Sequence, residues 1–258
     1  MRDPHVQTMH YTIGSGEGIS YQDPEALSFS NHLGDFELVD QELRIQPTEH
    51  FSDEQEARTA IEPFLRDWEV ESDLTANVGA IRFTFTRVEL IDRDPPLPRG
   101  PLVINMKAAI GAFAVTATAS LHLTYRMYPK PPQTFCATSE VQLAYRRWVG
   151  FRSGKEPLQA MAYFGLTLLY SLLPVVGSGR HEPFKSISPS LTIFGRLSST
   201  KGDESTARKA VPGVQFQDLS GAEKQWLEEA VRRVIHQLGQ HASGTALTQL
   251  TMNDLPRI

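Results

Sequence analysis

Cysteine is almost missing from this sequence: Cys136 is the only one among 258 residues. An intrachain disulfide needs two cysteines, and multi-cysteine zinc and iron–sulfur sites need more, so these sites are excluded. Residues 1–12 mix charged residues, proline and histidine without an apolar stretch, and we expect no secretory signal peptide there. Together these features favour a reducing cytoplasm as the compartment.

Charged side chains are absent from residues 157–179, PLQAMAYFGLTLLYSLLPVVGSG. A helix over 155–174 would be about 30 Å long, which is enough to cross a membrane. Gln159 and Thr167 interrupt the run, however, and Pro174 would leave the last turn poorly hydrogen-bonded in hydrocarbon. We therefore predict the buried core helix of a soluble protein, with no membrane partner.

The sequence also lacks the motifs that most often carry chemistry. It has no G-x-S-x-G nucleophile elbow, and the glycines of 14–18 and 195–203 do not show the context or order of a phosphate-binding loop. His236 and His241 are five residues apart, with no cysteine or close carboxylate to complete a zinc site. We predict no cofactor and no metal.

Charge is distributed unevenly along the chain. Residues 1–135 hold 11 Lys/Arg and 20 Asp/Glu, a net charge of −9, whereas residues 136–258 hold 14 and 10, a net charge of +4. This difference fits attraction between the two halves, an anionic partner for the second half, or two solvated surfaces without a partner.

Alternating apolar residues predict strands in the first half. Residues 36–46 read as a hairpin around Asp40-Gln41. The strand at 80–92 shifts its apolar phase after Phe85, which predicts a β-bulge. Residues 102–106 predict a short strand, and 113–128 alternate as an antiparallel strand with one wet face does.

One amphipathic helix is predicted among these strands, over residues 52–68. Ser52 and Gln55 fit a capping box at its start. Pro63 lies well inside, so we expect a kink or a break into two short helices. After the strands, residues 134–148 could stay extended or become helical near Ser139.

The second half reads as helices, at 155–174, near 186–197, at 203–210 and at 219–239. In the last of these, Ser220 and Glu223 form an S-x-x-E capping box and Gly239 fits the C-terminal end. The predicted fold class is α+β. A mostly antiparallel sheet with one amphipathic helix occupies 1–135, and a helical unit packed on it occupies 136–258, as separate domains or as one continuous domain.

Two clusters are candidate sites for a partner or for nucleic acid. The segment 145–155 interleaves aromatic and basic residues, the composition of single-stranded nucleic-acid binding, and its candidates are Arg146, Arg147, Trp148, Arg152 and Lys155. The competing interpretation is a joint in which the rings are buried and the arginines pair with the acidic first half.

Candidate catalytic residues come from two further places. Arg232, Arg233 and His236 share the polar face of the 219–239 helix, with Arg232 and His236 one turn apart. Arg180 and His181 lie in a glycine-flanked loop that could hold an acid–base pair.

Three functional hypotheses follow. The first is a non-catalytic cytoplasmic interaction or structural protein, with a protein partner or with itself as partner. The second is an RNA-binding or metal-independent ribonuclease-like helical module that uses Arg232, Arg233 and His236. The third is a small-molecule-binding protein with a pocket between the sheet and the core helix, which carries Met161, Tyr163 and Phe164.

Overall fold

The computed structural model describes residues 3–94, 122–172, 188–199, 201, 217–246 and 250–258. It divides into two compact units, Met1–Pro131 and Pro132–Ile258. The first unit carries the strands and one helix and the second carries helices, so the predicted α+β class is confirmed.

The elements of the first unit follow the order of the chain. They are β1 Pro4–Gly14, β2 Ile19–Glu25, β3 Leu27–Asn31, β4 Gly34–Val39, β5 Glu42–Pro47, α1 Glu54–Thr75, β6 Arg82–Asp92 and β7 Leu123–Met127. Five strands form an antiparallel sheet in the order β3-β4-β5-β1-β6, and β2 pairs with β7 separately.

The predicted hairpin is confirmed as β4 and β5. Its two central residues, Asp40 and Gln41, have φ of 49° and 65°. Two positive φ values are typical of the tight turn that matches the twist of paired strands, and Asp tolerates this conformation. Leu38 and Leu43 on either side of the turn are completely buried.

The predicted bulge is also confirmed. Phe85 pairs with Tyr11 and Arg87 pairs with His10, which leaves Thr86 as an extra residue in β6. The Thr86 hydroxyl donates to the His10 carbonyl oxygen at 2.8 Å. The bulge allows Phe85 before it and Val88 after it to pack against the same hydrophobic core.

The prediction for 113–128 was wrong in one respect. Its described part, β7, pairs with β2 in parallel, and Met127 is 65% exposed. Alternation reports which side chains share a face and does not determine the direction of the neighbouring strand. Residues 102–106, 113–121 and 203–210 lie outside the described residues.

Helix α1 is longer than predicted and starts at a different cap. Asp53, not Ser52, accepts from the Glu56 backbone N–H at 2.9 Å, and the Glu56 carboxylate accepts from Ser52 in return. Pro63 does not break the helix. Pro63 is exposed, so the carbonyl that loses its partner there lies near solvent.

The core of the first unit is formed by α1 and one face of the sheet. Its completely buried side chains include Met9, Leu38, Leu43, Ile45, Ile61 and Trp68. Burying one such side chain contributes about 1.5–3 kcal/mol. The Trp68 indole also donates to the Pro129 carbonyl oxygen at 3.0 Å.

The second unit contains α2 Ser139–Arg152, α3 Leu158–Leu172, α4 Ser188–Ser199 and α5 Gly221–Ala242, followed by a short 3-10 turn, Met252–Asp254. Helix α2 resolves the open choice for 134–148 in favour of a helix capped by Thr138.

The charge-free helix α3 packs against three neighbours, α2, α4 and α5. Met161 and Ala162 are buried and Thr167 is exposed, so the helix is buried on most of its surface, not all round. Within the described residues, no helix is both long and apolar enough to cross a bilayer.

Helix α5 confirms the predicted capping box and corrects its predicted end. Ser220 and Glu223 make both bonds of the box, but the helix continues past Gly239 to Ala242. A Cβ at position 239 would overlap the ring of Phe135. Gly239 is therefore present for close packing and not for a helix stop.

Candidate binding groove

The predicted site residues Arg232, Arg233 and His236 lie along one helix, α5, and each contacts another side chain of the protein. The Glu229 carboxylate accepts from Arg232 at 2.6 and 2.7 Å and from Arg233 at 2.7 Å. Burial raises the pKa of Glu229, but bonds from both arginines outweigh it and lower that pKa overall. His236 stacks on Phe135 with ring centroids 5.7 Å apart. The proposed RNA site on this face stays a prediction.

The basic and aromatic residues of α2 have partners within the second unit. Arg147 pairs with Glu156, and its guanidinium carbon lies 4.3 Å from the ring centroid of Phe164. Arg152 donates to Glu228 at 2.5 Å. These carboxylates belong to the second half of the chain, whereas the joint interpretation expected partners in the acidic first half.

The other candidates of 145–155 differ in exposure. Trp148 is buried, and its indole N–H has no hydrogen-bond partner in the described residues. Arg146 and Lys155 are exposed. A buried Trp148 cannot stack on a base without moving, so the stacking interpretation loses its central ring. Arg180 and His181 lie outside the described residues.

A groove of about 570 Å³ lies in the first unit, where α1 runs beside the edge strand β6. We call it the α1–β6 groove. One end is lined by Tyr11, Arg58, Glu62 and Phe85, and the rest by Leu65, Arg66, Glu69, Phe83 and Thr84. Sequence reasoning did not select any of these residues.

Arg58 occupies the first end of the groove. It donates to Glu62 at 2.6 Å and to Glu54 at 3.1 Å, one helical turn away on either side. Its guanidinium carbon lies 4.6 Å from the ring centroid of Phe85. The spacing Glu54-Arg58-Glu62 is the one that places three side chains along one helix face, so this ladder was readable from the sequence.

Tyr11 forms the buried wall of the same end. Its ring meets Phe85 edge-on at 5.5 Å, and only 2% of the residue is exposed. The hydroxyl has no hydrogen-bond partner within the part of the chain that the structure describes. Burial raises the pKa of Tyr11, with a further rise from the charge of Glu62, so the hydroxyl remains a neutral donor.

The polar groups at the far end of the groove are bonded to one another. The Glu69 carboxylate accepts from Arg66 and from the Phe83 backbone N–H, both at 2.9 Å. Phe83 packs against Trp68 with ring centroids 5.0 Å apart. This end is therefore a fully bonded wall.

A second polar cluster lies on the opposite face of the sheet around His10. Glu42 lies 2.7 Å from its Nδ1 atom and Glu89 lies 3.2 Å from its Nε2 atom. Because the two carboxylates lie at nitrogens on opposite sides of the ring, they cannot both reach one metal ion bound to a ring nitrogen. The described part of the chain contains no group of three or more potential metal ligands.

Searches for relatives were made against protein-family models, curated proteins and solved structures, and none of the three found a match. The geometry of the α1–β6 groove is therefore the basis on which a function can be assigned.

Proposed function

We propose that this protein is a non-catalytic binding protein and that a small molecule occupies the α1–β6 groove. The observation that carries the proposal is the Tyr11 hydroxyl, which is buried at the groove and has no hydrogen-bond partner among the residues that the structure describes. A buried polar group that lacks a partner costs about 1–3 kcal/mol. A ligand that supplies an acceptor recovers this cost.

The size and lining of the groove support a small ligand. Ligand pockets usually enclose about 300–1,000 Å³ and combine apolar walls with a few polar groups. The groove, at about 570 Å³, falls in this range, and its walls include Phe83, Phe85 and Leu65. Its arginines and glutamates are bonded to one another, an arrangement suited to holding a ligand rather than transferring protons.

The other predictions about the protein's setting belong to the same proposal. The single cysteine supports a cytoplasmic location, and a protein partner or self-association is compatible with a ligand-binding first unit. The third hypothesis from sequence is kept in part, since it proposed a small-molecule pocket beside the sheet. The groove proposed here is bounded by α1 instead of the helix that carries Met161.

A groove-filling variant tests the proposal. Glu62→Trp places an indole on the groove side of α1, whereas Thr59→Trp places the same ring on an exposed position that does not line it. Wild-type protein with ¹³C-methyl leucine is screened against single-ring aromatic compounds, and the Leu65 methyl signals are followed by NMR.

We expect some compounds to shift the Leu65 signals in wild type and in Thr59→Trp, but not in Glu62→Trp. The proposal is wrong if no compound moves these signals, or if Glu62→Trp responds as wild type does.

A further inference from the structure

The polar groups of the α1–β6 groove differ in how well they are satisfied. Arg58 is bonded to Glu54 and Glu62, and Arg66 is bonded to Glu69. The lining thus presents its charges already paired. The Tyr11 hydroxyl is the one buried lining group that has no partner, and it is a neutral donor.

This inventory restricts the chemistry of the ligand. A charged group that leaves water needs an opposite charge at its destination, and a wall of paired charges supplies none. A tyrosine hydroxyl can donate to a neutral or a charged acceptor, and the cost of removing a charge from water favours the neutral one here. Aromatic walls favour a flat ring, because Phe83 and Phe85 present ring surface and edges to the groove.

Access to the hydroxyl requires one side chain to move. The Tyr11 oxygen is out of contact with water, so a ligand atom of similar size cannot reach it as the groove stands. Arg58 lies over the ring that Tyr11 touches, and a third of its side chain is exposed. Exposed ion pairs are weak, so Arg58 can leave Phe85 at little cost while keeping one of its glutamates.

Building on the proposed binding function, we infer that the ligand is a neutral, flat aromatic compound whose carbonyl oxygen accepts from the Tyr11 hydroxyl. Arg58 acts as the cover of this site: its guanidinium lies on Phe85 when the groove is empty and moves aside when the carbonyl enters. The site thereby selects against acids and amidines of the same shape.

Three probes of nearly identical shape test the ligand class: benzamide, benzoate and benzamidine, which are neutral, anionic and cationic. Their dissociation constants for the full chain are measured by NMR titration of the Leu65 methyl signals. We expect benzamide to bind most tightly. Benzoate and benzamidine each bring a charge out of water, and the lining arginines and glutamates, already paired with one another, leave no free partner for it.

Two variants test the two parts of the site. Tyr11→Phe removes only the hydroxyl and should weaken benzamide binding about threefold to tenfold, the worth of one hydrogen bond. Arg58→Ala removes the cover and should tighten benzamide binding by about twofold to fivefold, because the exposed ion pairs no longer oppose entry. Arg44→Ala, another arginine paired with a glutamate but outside the groove, serves as the control and should change nothing.

Each result opposite to the expected one would refute a specific part of the inference. Tighter binding of benzoate or benzamidine would refute the neutral class, and unchanged benzamide affinity in Tyr11→Phe would refute the hydroxyl as donor. Weaker binding in Arg58→Ala would make Arg58 a ligand contact and not a cover. If none of the three probes shifts Leu65 while other aromatic compounds do, the inference fails and the binding function survives.

Discussion

Two buried polar side chains, one at each end of helix α1, differ in whether they have hydrogen-bond partners. Near its C-terminal end, the Asp73 side chain is completely buried and bonded by the Gly79 backbone N–H at 2.9 Å and by Arg82 at 2.5 and 2.9 Å. Beside its N-terminal half, next to Arg58 and Glu62, the Tyr11 hydroxyl is equally buried and has no hydrogen-bond partner among the described residues.

This difference indicates a separate role for each end of the helix. A buried group whose bonds are all made within the chain fixes the structure, since removing one partner leaves another charge uncompensated. A buried group left without a partner adds nothing to the fold and remains available to a ligand. We therefore assign the Asp73 end to stability and the Tyr11 end to binding.

The largest expected effect is the loss of the Asp73 carboxylate. Asp73→Ala removes the acceptor of the Gly79 N–H and the carboxylate partner of Arg82, which keeps its bond to the Ile81 carbonyl oxygen. The first unit should be destabilised by about 3 kcal/mol. Unfolding in urea can be followed by ¹⁹F NMR with 5-fluorotryptophan. Trp68 reports on the first unit, and Trp148 and Trp226 report on the second.

Glu54→Ala is the matched control at the groove end of the same helix. It breaks the ion pair between Glu54 and Arg58, whose side chains are each about a third exposed. The free energy of unfolding should fall by no more than about 0.5 kcal/mol. Equal losses in the two variants would remove the distinction between the ends of α1.

The next effect comes from Gly79, which donates to Asp73. Gly79 has φ of +84°, and a Cβ there would lie 2.7 Å from the Cα of Gly16. Gly79→Ala should cost about 2 kcal/mol or more, from the left-handed conformation and the overlap together.

Gly244 separates these two causes. Its φ is also +84°, but a Cβ there would meet nothing within 4 Å. Gly244→Ala should therefore cost about 1 kcal/mol, from conformation alone. The ¹⁹F signal of Trp68 reports the first variant and those of Trp148 and Trp226 report the second. Similar losses in both would show that the close approach of Gly16 and Gly79 contributes nothing.

The glycine pair also shows how far sequence reasoning reaches. Local patterns predicted the β4–β5 hairpin, the bulge at Thr86 and the Ser220–Glu223 capping box, because turn, phase and cap each depend on residues close in sequence. The glycines of 14–18 lack the sequence context of a phosphate-binding loop, but their structural use was not predictable. Gly16 is needed because Gly79, far along the chain, comes within contact of it.

The candidate site was less predictable than the fold. The Glu54-Arg58-Glu62 spacing places three charged side chains along one helix face, yet nothing in the spacing indicates that Phe85 lies beneath the arginine. Tyr11 reads as an ordinary strand residue, because the absence of a hydrogen-bond partner is a property of the packed structure. Gly239 was misjudged for the same reason, since only Phe135 explains it.

Two histidines of β1 show the same contrast between a buried side chain with all its partners and one without. His10 has a carboxylate at each ring nitrogen, whereas His5 has Arg93 at Nε2 and, among the described residues, no partner at Nδ1. Burial lowers the pKa of His5 below its ordinary value of 6.5, and the charges of Arg93 and His50 lower it further.

The sign of the resulting pH effect follows from proton binding. Below pH 6.5 the unfolded chain binds a proton at His5 that the folded chain resists, so this stability is fully present above pH 6.5 and is lost as the pH falls towards the folded pKa. His5→Gln keeps an acceptor for Arg93 and should flatten the fall in the urea midpoint of Trp68 between about pH 7 and pH 5. An unchanged slope would show that His5 is not buried in solution.

The smallest expected effect is the most direct test of the groove end at which Tyr11 lies. Tyr11→Phe removes a hydroxyl that bonds to nothing, so the free energy of unfolding should stay the same or rise by up to about 1 kcal/mol. Tyr128→Phe is the matched control in the same unit: the Tyr128 hydroxyl accepts from the Gln41 backbone N–H at 3.0 Å, and its loss should cost about 1 kcal/mol. The two substitutions remove the same atom from buried rings and should move the urea midpoint of Trp68 in opposite directions. If both lower it, the Tyr11 hydroxyl has a partner in the empty protein, and the groove loses the donor by which a ligand would be held.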